Sequence, residues 1–205
     1  MARKSTALDE KLIKTALTLA RKKGLNAISV REVCAKAKVN LGMFHYYFKN
    51  KENFDEQVLK RLYGSMIQNI TTHTPPTAMP RENIKNILFE ISAFARENKI
   101  LLSALASDVM QGNKNILEFI AGHFTAHISM LFKEVARAAK KPEAAHLNTE
   151  SIIMVLVMHI FMPRLMEGTF ERLGMTVKLG IKERKPRVDA QEHDRIEFVI
   201  NSIFK

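Results

Sequence analysis

The residues with the most distinctive chemistry lie between positions 29 and 54, in the run SVREVCAKAKVNLGMFHYYFKNKENF. This run mixes hydroxyl, basic and aromatic side chains, a set that suits contacts with phosphates and bases. Residues 1–60 hold 13 Lys and Arg against 6 Asp and Glu, which gives +7 of the total net charge of +11. A basic excess in a short segment favours a polyanionic partner such as nucleic acid, although the same charge can simply serve solubility.

A second group with possible chemistry is the pair His123 and His127, four residues apart in one predicted helix. Two histidines at that spacing can hold a metal ion, with Asp108 or His159 as a candidate third ligand. The run from His123 to His127 lacks the glutamate of the zinc-protease motif. Ligand contact or plain packing is the preferred interpretation of both histidines, and we expect neither a metal nor a cofactor.

An enzyme that uses these histidines with a carboxylate is the rival from another functional class. The chain has neither a phosphate-binding loop nor a nucleophile-elbow motif. We therefore expect that the protein is not an enzyme.

The elements that position these residues are predicted to be helices. Only 8 Gly and 6 Pro interrupt the 205 residues, and apolar side chains recur at helical spacing. Gly24 ends the first helix, and Ser29, Asn40 and Asn50 each begin another as N-caps. The predicted N-terminal helices cover residues 6–23, 29–37, 40–47 and 50–73.

A break is predicted at residues 74–80, TPPTAMP, because three prolines cannot continue a helix. The fold class is therefore all-α, with an N-terminal three-helix helix-turn-helix domain at 1–50 and a larger C-terminal helical bundle domain at 51–205. The helices expected beyond the break cover about 81–97, 99–111, 114–140, 149–167 and 190–204, with residues 168–192 mostly loop.

The pattern of residues 29–47 is that of a helix-turn-helix. Two short helices that cross at a steep angle need a small side chain at their contact, which Cys34 supplies, and apolar side chains beside it. Phe44 and Phe48 are predicted to be core residues. The second helix of such a motif enters the DNA major groove, so residues 41–46 are expected to face base edges.

These residues resemble the TetR family of helix-turn-helix transcriptional regulators. The resemblance covers about the first quarter of the chain. It implies a DNA-binding regulator, usually a repressor, that binds a palindromic operator in double-stranded DNA as a homodimer. The family's elements occur in order: Val30-Arg31-Glu32, the turn Lys38-Val39-Asn40, Gly42, the aromatic cluster Phe44 to Phe48, and Lys49-Asn50-Lys51.

The resemblance also implies a role for individual residues. Arg31 matches a position that reaches a base, and Ser29, Tyr47 and Lys51 match positions that bind backbone phosphates. Asn40 and Lys49, at the two ends of the second helix of the motif, complete the predicted DNA-binding set. The residues expected in the groove are Leu41, Gly42, Met43, His45 and Tyr46.

One departure from the family lies in the turn, where Lys38 stands at the usual glycine position. A left-handed backbone there would cost a lysine about 1 kcal/mol relative to glycine. A second departure is that Leu41 and Met43 offer no hydrogen bonds to bases. Recognition would then depend on thymine methyl groups and DNA shape, and the operator sequence is not readable.

Residues 81–167 are rich in Phe and Met, which suits either ordinary helix packing or an adaptable apolar pocket. The family resemblance implies such a pocket for a small-molecule effector. We expect a mostly apolar ligand whose binding moves the helix over 50–73 and spreads the two DNA-binding heads. The predicted ligand-binding residues are Phe89, Phe94, Asp108, Met110, Phe124, His127 and Met158.

The helix predicted at 149–167 is apolar on nearly all sides and must be buried on more than one face. With the helix at 190–204 it is the candidate dimer interface, and burial within the monomer is the alternative. Ile196 and Ile200 are the residues of the last helix that we expect to face the partner.

Cellular context follows from what the sequence lacks. The single cysteine excludes an internal disulfide, and the most apolar stretch, residues 152–163, is too short to cross a membrane. The polar N-terminus does not resemble a signal peptide, so a cytoplasmic location is predicted. The remaining rival is a division or nucleoid factor that binds DNA without any small-molecule inducer.

Overall fold

The computed structural model describes residues 7–76, 78–123, 125–138, 148–166 and 188–204. All regular structure within these ranges is helical, which confirms the all-α fold class. The helices are α1 (Ala7–Lys23), α2 (Val30–Ala37), α3 (Leu41–Phe48), α4 (Lys51–His73), α5 (Pro80–Glu97), α6 (Lys99–Met110), α7 (Lys114–His123), α8 (Thr125–Ala138), α9 (Thr149–Met166) and α10 (Val188–Ile203).

Two compact units make up the chain, each built from two segments. The first unit contains Met1–Gln68 and Glu97–Thr125, and the second contains Asn69–Arg96 and Ala126–Lys205. The helix-turn-helix therefore shares its unit with α6 and α7. None of the described helices is long and apolar enough to cross a membrane.

Within the first unit, α1 packs on α2, α3 and α6. Gly24 ends α1 with φ +82°, and its N–H donates to the Ala20 carbonyl oxygen at 2.8 Å. A Cβ at position 24 would lie 2.9 Å from the Ala104 Cβ, so only glycine permits this approach of α6. Two hydrogen bonds tie α6 to the N-terminal helices: Arg21 Nε donates to Asn98 Oδ1 at 2.9 Å, and Asn26 Nδ2 donates to Asp108 Oδ2 at 2.7 Å.

The second unit is built around the contact between α9 and α10. Both helices carry buried apolar residues: Ile152, Leu156 and Ile160 on α9, and Ile196, Val199 and Ile200 on α10. Charged groups fasten α10 to α5 beside this core. Arg96 Nη1 contacts Glu192 Oε2 at 2.8 Å, Lys85 pairs with Glu197, and Arg81 Nη1 donates to the Phe204 carbonyl oxygen at 2.8 Å.

The predicted helices agree with the structure in most of their bounds. The proline-rich break lies between α4 and α5, and Pro80 begins α5, where a missing N–H costs nothing. The helix predicted over 114–140 corresponds to α7 and α8, which lie on either side of residue 124, a position outside the described residues. The predicted loop at 168–192 lies almost entirely outside the described residues.

Candidate nucleic-acid interface

Three aromatic side chains hold α3 in place. Phe44 is completely buried, and its ring centroid lies 5.3 Å from Phe48 and 5.0 Å from Phe54. Phe48 and Phe54 are 4.7 Å apart and meet edge to face, a favourable aromatic geometry. The prediction that Phe44 and Phe48 are core residues is confirmed. Because this cluster fixes one side of α3, the opposite side is fixed toward solvent.

The two motif helices begin at the predicted caps. Ser29 Oγ accepts the Glu32 N–H at 3.1 Å, and Asn40 Oδ1 accepts the Gly42 N–H at 2.7 Å. A Cβ at position 42 would lie 3.3 Å from the Asn40 Oδ1 atom, so glycine leaves room for this short cap. Each cap satisfies one of the N–H groups that a helix N-terminus leaves without a partner.

The turn between α2 and α3 is left-handed at Lys38, with φ 52° and ψ 46°. The Lys38 N–H donates to the Ala35 carbonyl oxygen at 3.1 Å, and the Val39 N–H donates to the Cys34 carbonyl oxygen at 3.0 Å. These bonds close the C-terminus of α2 in the way that glycine usually permits. The lysine therefore carries the backbone cost anticipated from the sequence.

Cys34, on α2, is 5% exposed. Burial raises the pKa of its thiol, which keeps the sulfur protonated and unreactive. The side chain thus acts as a small packing residue.

The solvent side of α3 carries most of the predicted groove residues. Tyr46 is 60% exposed and Leu41 is 39% exposed, and Gly42 and His45 are exposed as well. Positions 41, 42, 45 and 46 share one side of a helix by their spacing. Arg31 on α2 is exposed, whereas Met43 and Tyr47 are half-buried. The structure therefore leaves a short row of side chains accessible on a rigid, capped helix.

A tight corner joins α3 to α4 at Lys49, where φ is 66° and ψ is −57°. The Asn50 N–H donates to the Phe48 carbonyl oxygen at 2.8 Å, which makes this a γ-turn of the strained, positive-φ kind. The His45 ring Nδ1 lies 3.1 Å from the Lys49 carbonyl oxygen. Since a carbonyl oxygen only accepts hydrogen bonds, the His45 ring donates from Nδ1 and stabilises the turn at Lys49.

The N-terminus of α4 is capped by Asn50, whose Oδ1 accepts the Asn53 N–H at 2.9 Å. Helix geometry leaves the N–H groups of Lys51 and Glu52 without an acceptor inside α4, which suits an anion. The Lys51 ammonium contacts the Asp55 carboxylate one turn later. Burial raises the pKa of Asp55, and the hydrogen bond from Lys51 acts in the opposite direction. This pairing of a predicted phosphate-binding lysine was not anticipated from the sequence.

The predicted ligand-binding residues are divided between the two units. Asp108 and Met110 belong to the first, where Asp108 accepts a hydrogen bond from Asn26 and Met110 is 89% exposed. The second unit contains Phe89, Phe94, His127 and Met158. Phe124 lies outside the described residues.

Two of the second-unit residues, Phe89 and His127, are described by a ring contact and by burial, respectively. Phe89 stacks on His193 with ring centroids 5.3 Å apart, a contact that sequence spacing could not reveal. His127 is 6% exposed, and burial lowers its pKa to about 4, so the ring is neutral. Met158, by contrast, is 46% exposed on α9.

His123 and His127 lie on either side of residue 124, which is outside the described residues. His123 ends α7, where it stacks on Phe119 at 4.5 Å, while His127 lies in the first turn of α8. Among the described residues, no three His, Cys, Asp or Glu side chains come together to hold a metal ion.

A cleft of about 520 Å³ lies in the first unit between the start of α4 and the helix α7. Apolar side chains of Leu59, Ile116 and Phe119 line it together with the carboxylates Asp55 and Glu118. Of the predicted ligand-binding residues that the structure describes, none lines this cleft. Its walls come from separate segments of the chain, so the sequence carried no signal for it.

Comparison with known proteins agrees with the motif and extends beyond it. Residues 12–58 match the model of the family described as "Bacterial regulatory proteins, tetR family". Over 198 residues the chain is 22% identical to a Bacillus subtilis protein named "Probable HTH-type transcriptional regulator YttP". The match covers 96% of this chain and 93% of that protein.

Solved structures show the same fold. A TetR transcription regulator from Haloarcula marismortui matches with a TM-score of 0.73 at 13% identity, covering 97% of this chain and 98% of that one. The transcriptional regulator FadR from Bacillus subtilis, solved in complex with stearoyl-CoA, matches with a TM-score of 0.70 at 16% identity, covering 95% and 98%.

These proteins are transcriptional regulators and not enzymes, in agreement with the expectation from the sequence. Residues 12–58 thus match the helix-turn-helix segment of the TetR family, and the chain as a whole is similar in sequence to a bacterial transcriptional regulator and shares the fold of TetR-family structures.

Proposed function

We propose that the chain binds a palindromic operator in duplex DNA as a homodimer and represses transcription until a small, mostly apolar ligand releases it. Residues 1–50 would bind DNA, and residues 51–205 would bind the ligand and the second subunit. The observation that carries the DNA-binding part is the accessible row on α3, since Leu41, His45 and Tyr46 face solvent from a helix fixed by buried aromatics. Such a regulator would work in the cytoplasm, where the DNA lies.

Roles within the interface divide by chemistry. Side chains on the exposed side of α3 suit base edges, with Leu41 and Met43 against thymine methyl groups and Tyr46 as the largest exposed contact. Arg31 would reach a base from α2. Ser29, Tyr47, Lys49 and Lys51 would position the motif on the phosphates.

The homodimer is supported by an apolar stripe that the monomer leaves exposed on α9. Met154 is 64% exposed, Met158 46% and Met162 47%, and one side of the helix carries them all. Phe198 on α10, 68% exposed, adds an aromatic side chain of the size that anchors interfaces. A palindromic operator requires two heads, which a two-fold dimer supplies.

The choice of Ile196 and Ile200 as partner-facing residues was wrong. They are 2% and 1% exposed in the monomer and pack toward α9. Both lie on the inward side of α10, and Phe198 lies on the outward side. The dimer proposal therefore rests on Phe198 and the methionines of α9.

The ligand part of the proposal is supported by the second unit, where Phe89, Phe94 and the neutral His127 provide apolar surface and a polar ring nitrogen. FadR, which shares the fold, was solved with a long-chain acyl-CoA. The proposed ligand belongs to the same broad class, with a mostly apolar body and a polar group.

The DNA-binding proposal is tested by selecting duplexes from a random pool with the purified full-length chain. We expect one enriched palindromic sequence. Its affinity should fall steeply as salt rises, because Lys and Arg contacts to phosphates release counterions. Failure to enrich any sequence, or an affinity that salt does not change, would contradict the proposal.

The dimer proposal is tested by sedimentation of the wild type, Phe198→Glu and Ile200→Glu at micromolar concentration. Phe198→Glu should give a folded monomer, because the glutamate is exposed once the subunits separate. Ile200→Glu should instead lose helical signal, because it places a charge in the core of the second unit. A wild-type monomer at this concentration would rule out the proposed assembly.

The ligand proposal is tested by thermal denaturation of the full chain with fatty acids and their thioesters, paired with operator affinity. A true effector should raise the melting temperature and weaken operator binding, because it prefers one of two states. A compound that stabilises the chain without weakening the operator complex would not support release. The ligand proposal would be contradicted if no compound in the series changed either the melting temperature or the operator affinity.

A further inference from the structure

An ion pair on α4 lies beside the predicted phosphate-binding position. The Lys51 ammonium contacts Asp55 Oδ2 across one helical turn, with side chains 32% and 19% exposed. The Lys51 side chain therefore lies along its own helix. On the same helix, Lys60 Nζ and Glu56 Oε1 form a pair at 2.6 Å with the same spacing, but both of those side chains are 46% exposed.

A phosphate bound at the start of α4 would meet the Asp55 carboxylate at close range. The ammonium can donate to both anions, but it cannot neutralise two negative charges. Because Asp55 is mostly buried, water and salt screen its charge less than they screen an exposed carboxylate. Burial also raises the pKa of Asp55, so the site disfavours the negative charge of its carboxylate, which the Lys51 ammonium stabilises.

We propose that Asp55 competes with DNA phosphate for Lys51 and keeps the affinity of each head below the value that its basic residues could reach. The inference rests on the proposed function, since it takes Lys51 as a phosphate contact. It assigns Asp55 a role in setting affinity for all duplexes alike, because a phosphate contact carries no base information. Asp55 touches no DNA itself and acts through Lys51.

The test measures the affinity of the full-length chain for a selected operator duplex and for a scrambled duplex of the same length. Asp55→Asn keeps the shape of the side chain and removes its charge. We expect it to tighten binding to both duplexes by about threefold per head, and so by about tenfold for a dimer. Asp55→Ser is measured beside it, and melting temperatures verify that each variant is folded.

Glu56→Gln is the matched control, because it makes the same change in net charge at the next residue. Its effect should be smaller than that of Asp55→Asn. In a Lys51→Ala background, Asp55→Asn should increase the affinity for DNA no more than Glu56→Gln does.

Two results would overturn the inference while operator binding by the wild type stands. One is that folded Asp55→Asn and Asp55→Ser bind at wild-type strength or more weakly, as they would if Asp55 oriented Lys51 toward phosphate. The other is a gain that persists undiminished without Lys51. A wild-type chain that binds neither duplex would instead overturn the proposed function, and this inference with it.

Discussion

The helix-turn-helix and the α9–α10 pair show two different relations between sequence and structure. In the helix-turn-helix, local residue types predict position: Ser29 and Asn40 accept backbone N–H groups, and Phe44 and Phe48 are buried. In α9, neighbouring apolar residues have opposite environments, since Ile153 is 6% exposed and Met154 is 64% exposed. A polar cap has one use, whereas an apolar side chain suits a core, a pocket or an interface equally well.

The difference between these two regions shows which features of a site can be predicted from sequence. Stereochemical demands such as helix caps and tight turns act over a few residues and can be read from them. The burial of a long apolar helix depends on which helices meet it, which is settled by distant parts of the chain. Predictions for α9 and α10 therefore need the three-dimensional packing.

The largest expected effect concerns the aromatic cluster of the helix-turn-helix. Phe44→Ala should lower the free energy of unfolding by about 3–5 kcal/mol, because it empties a fully buried site between Phe48 and Phe54. Tyr46→Ala, two residues away and 60% exposed, should cost less than about 1 kcal/mol. Urea denaturation measures both. Equal losses would show that α3 is not divided into a buried and an accessible side.

A smaller effect is expected from His127 in the second unit. Its pKa is lowered to about 4 by burial, so between that pH and the ordinary value of 6.5 the unfolded chain binds a proton that the folded chain does not. The contribution of neutral His127 to the free energy of unfolding should be fully present above pH 6.5. It should fall by up to about 3 kcal/mol as the pH drops from 6.5 to about 4.

His127→Gln should flatten that part of the pH dependence of the free energy of unfolding. His159→Gln, at an exposed histidine of α9, serves as the control for the substitution itself. If the wild type and His127→Gln lose stability in parallel on acidification, His127 is not the buried neutral group described here.

The smallest effect is expected at the turn between α2 and α3. Lys38→Gly should raise the free energy of unfolding by about 0.5–1 kcal/mol, because glycine adopts the left-handed backbone without strain. Lys36→Gly, two residues earlier and inside α2, should lower it by about 1 kcal/mol. Thermal denaturation compares the two glycines. The same sign for both would mean that the backbone at Lys38 is not left-handed.

Much of the fold was predictable from local signals. Pro80, Gly24 and the caps at residues 29, 40 and 50 mark helix ends directly, and the bounds of α1 to α5 follow from them. The site was predictable in part: exposure of Tyr46 followed from the burial of Phe44.

The pairing of side chains could not be predicted from the sequence. The hydrogen bond from Asn26 to Asp108 joins residues 82 positions apart, and nothing local marks either one. The contact between Lys51 and Asp55 has common helical spacing, and such spacing alone does not distinguish it from the more exposed pair of Glu56 and Lys60 on the same helix.

The central claim is that the exposed side of α3 reads base sequence while the start of α4 binds phosphate. The most direct measurement is the ratio of affinities for the selected operator and a scrambled duplex, in the wild type, Tyr46→Ala and Lys51→Ala. Tyr46→Ala should lower that ratio by about tenfold or more, and Lys51→Ala should weaken both complexes while the ratio stays constant. A ratio that is unchanged in Tyr46→Ala and reduced in Lys51→Ala would contradict the account.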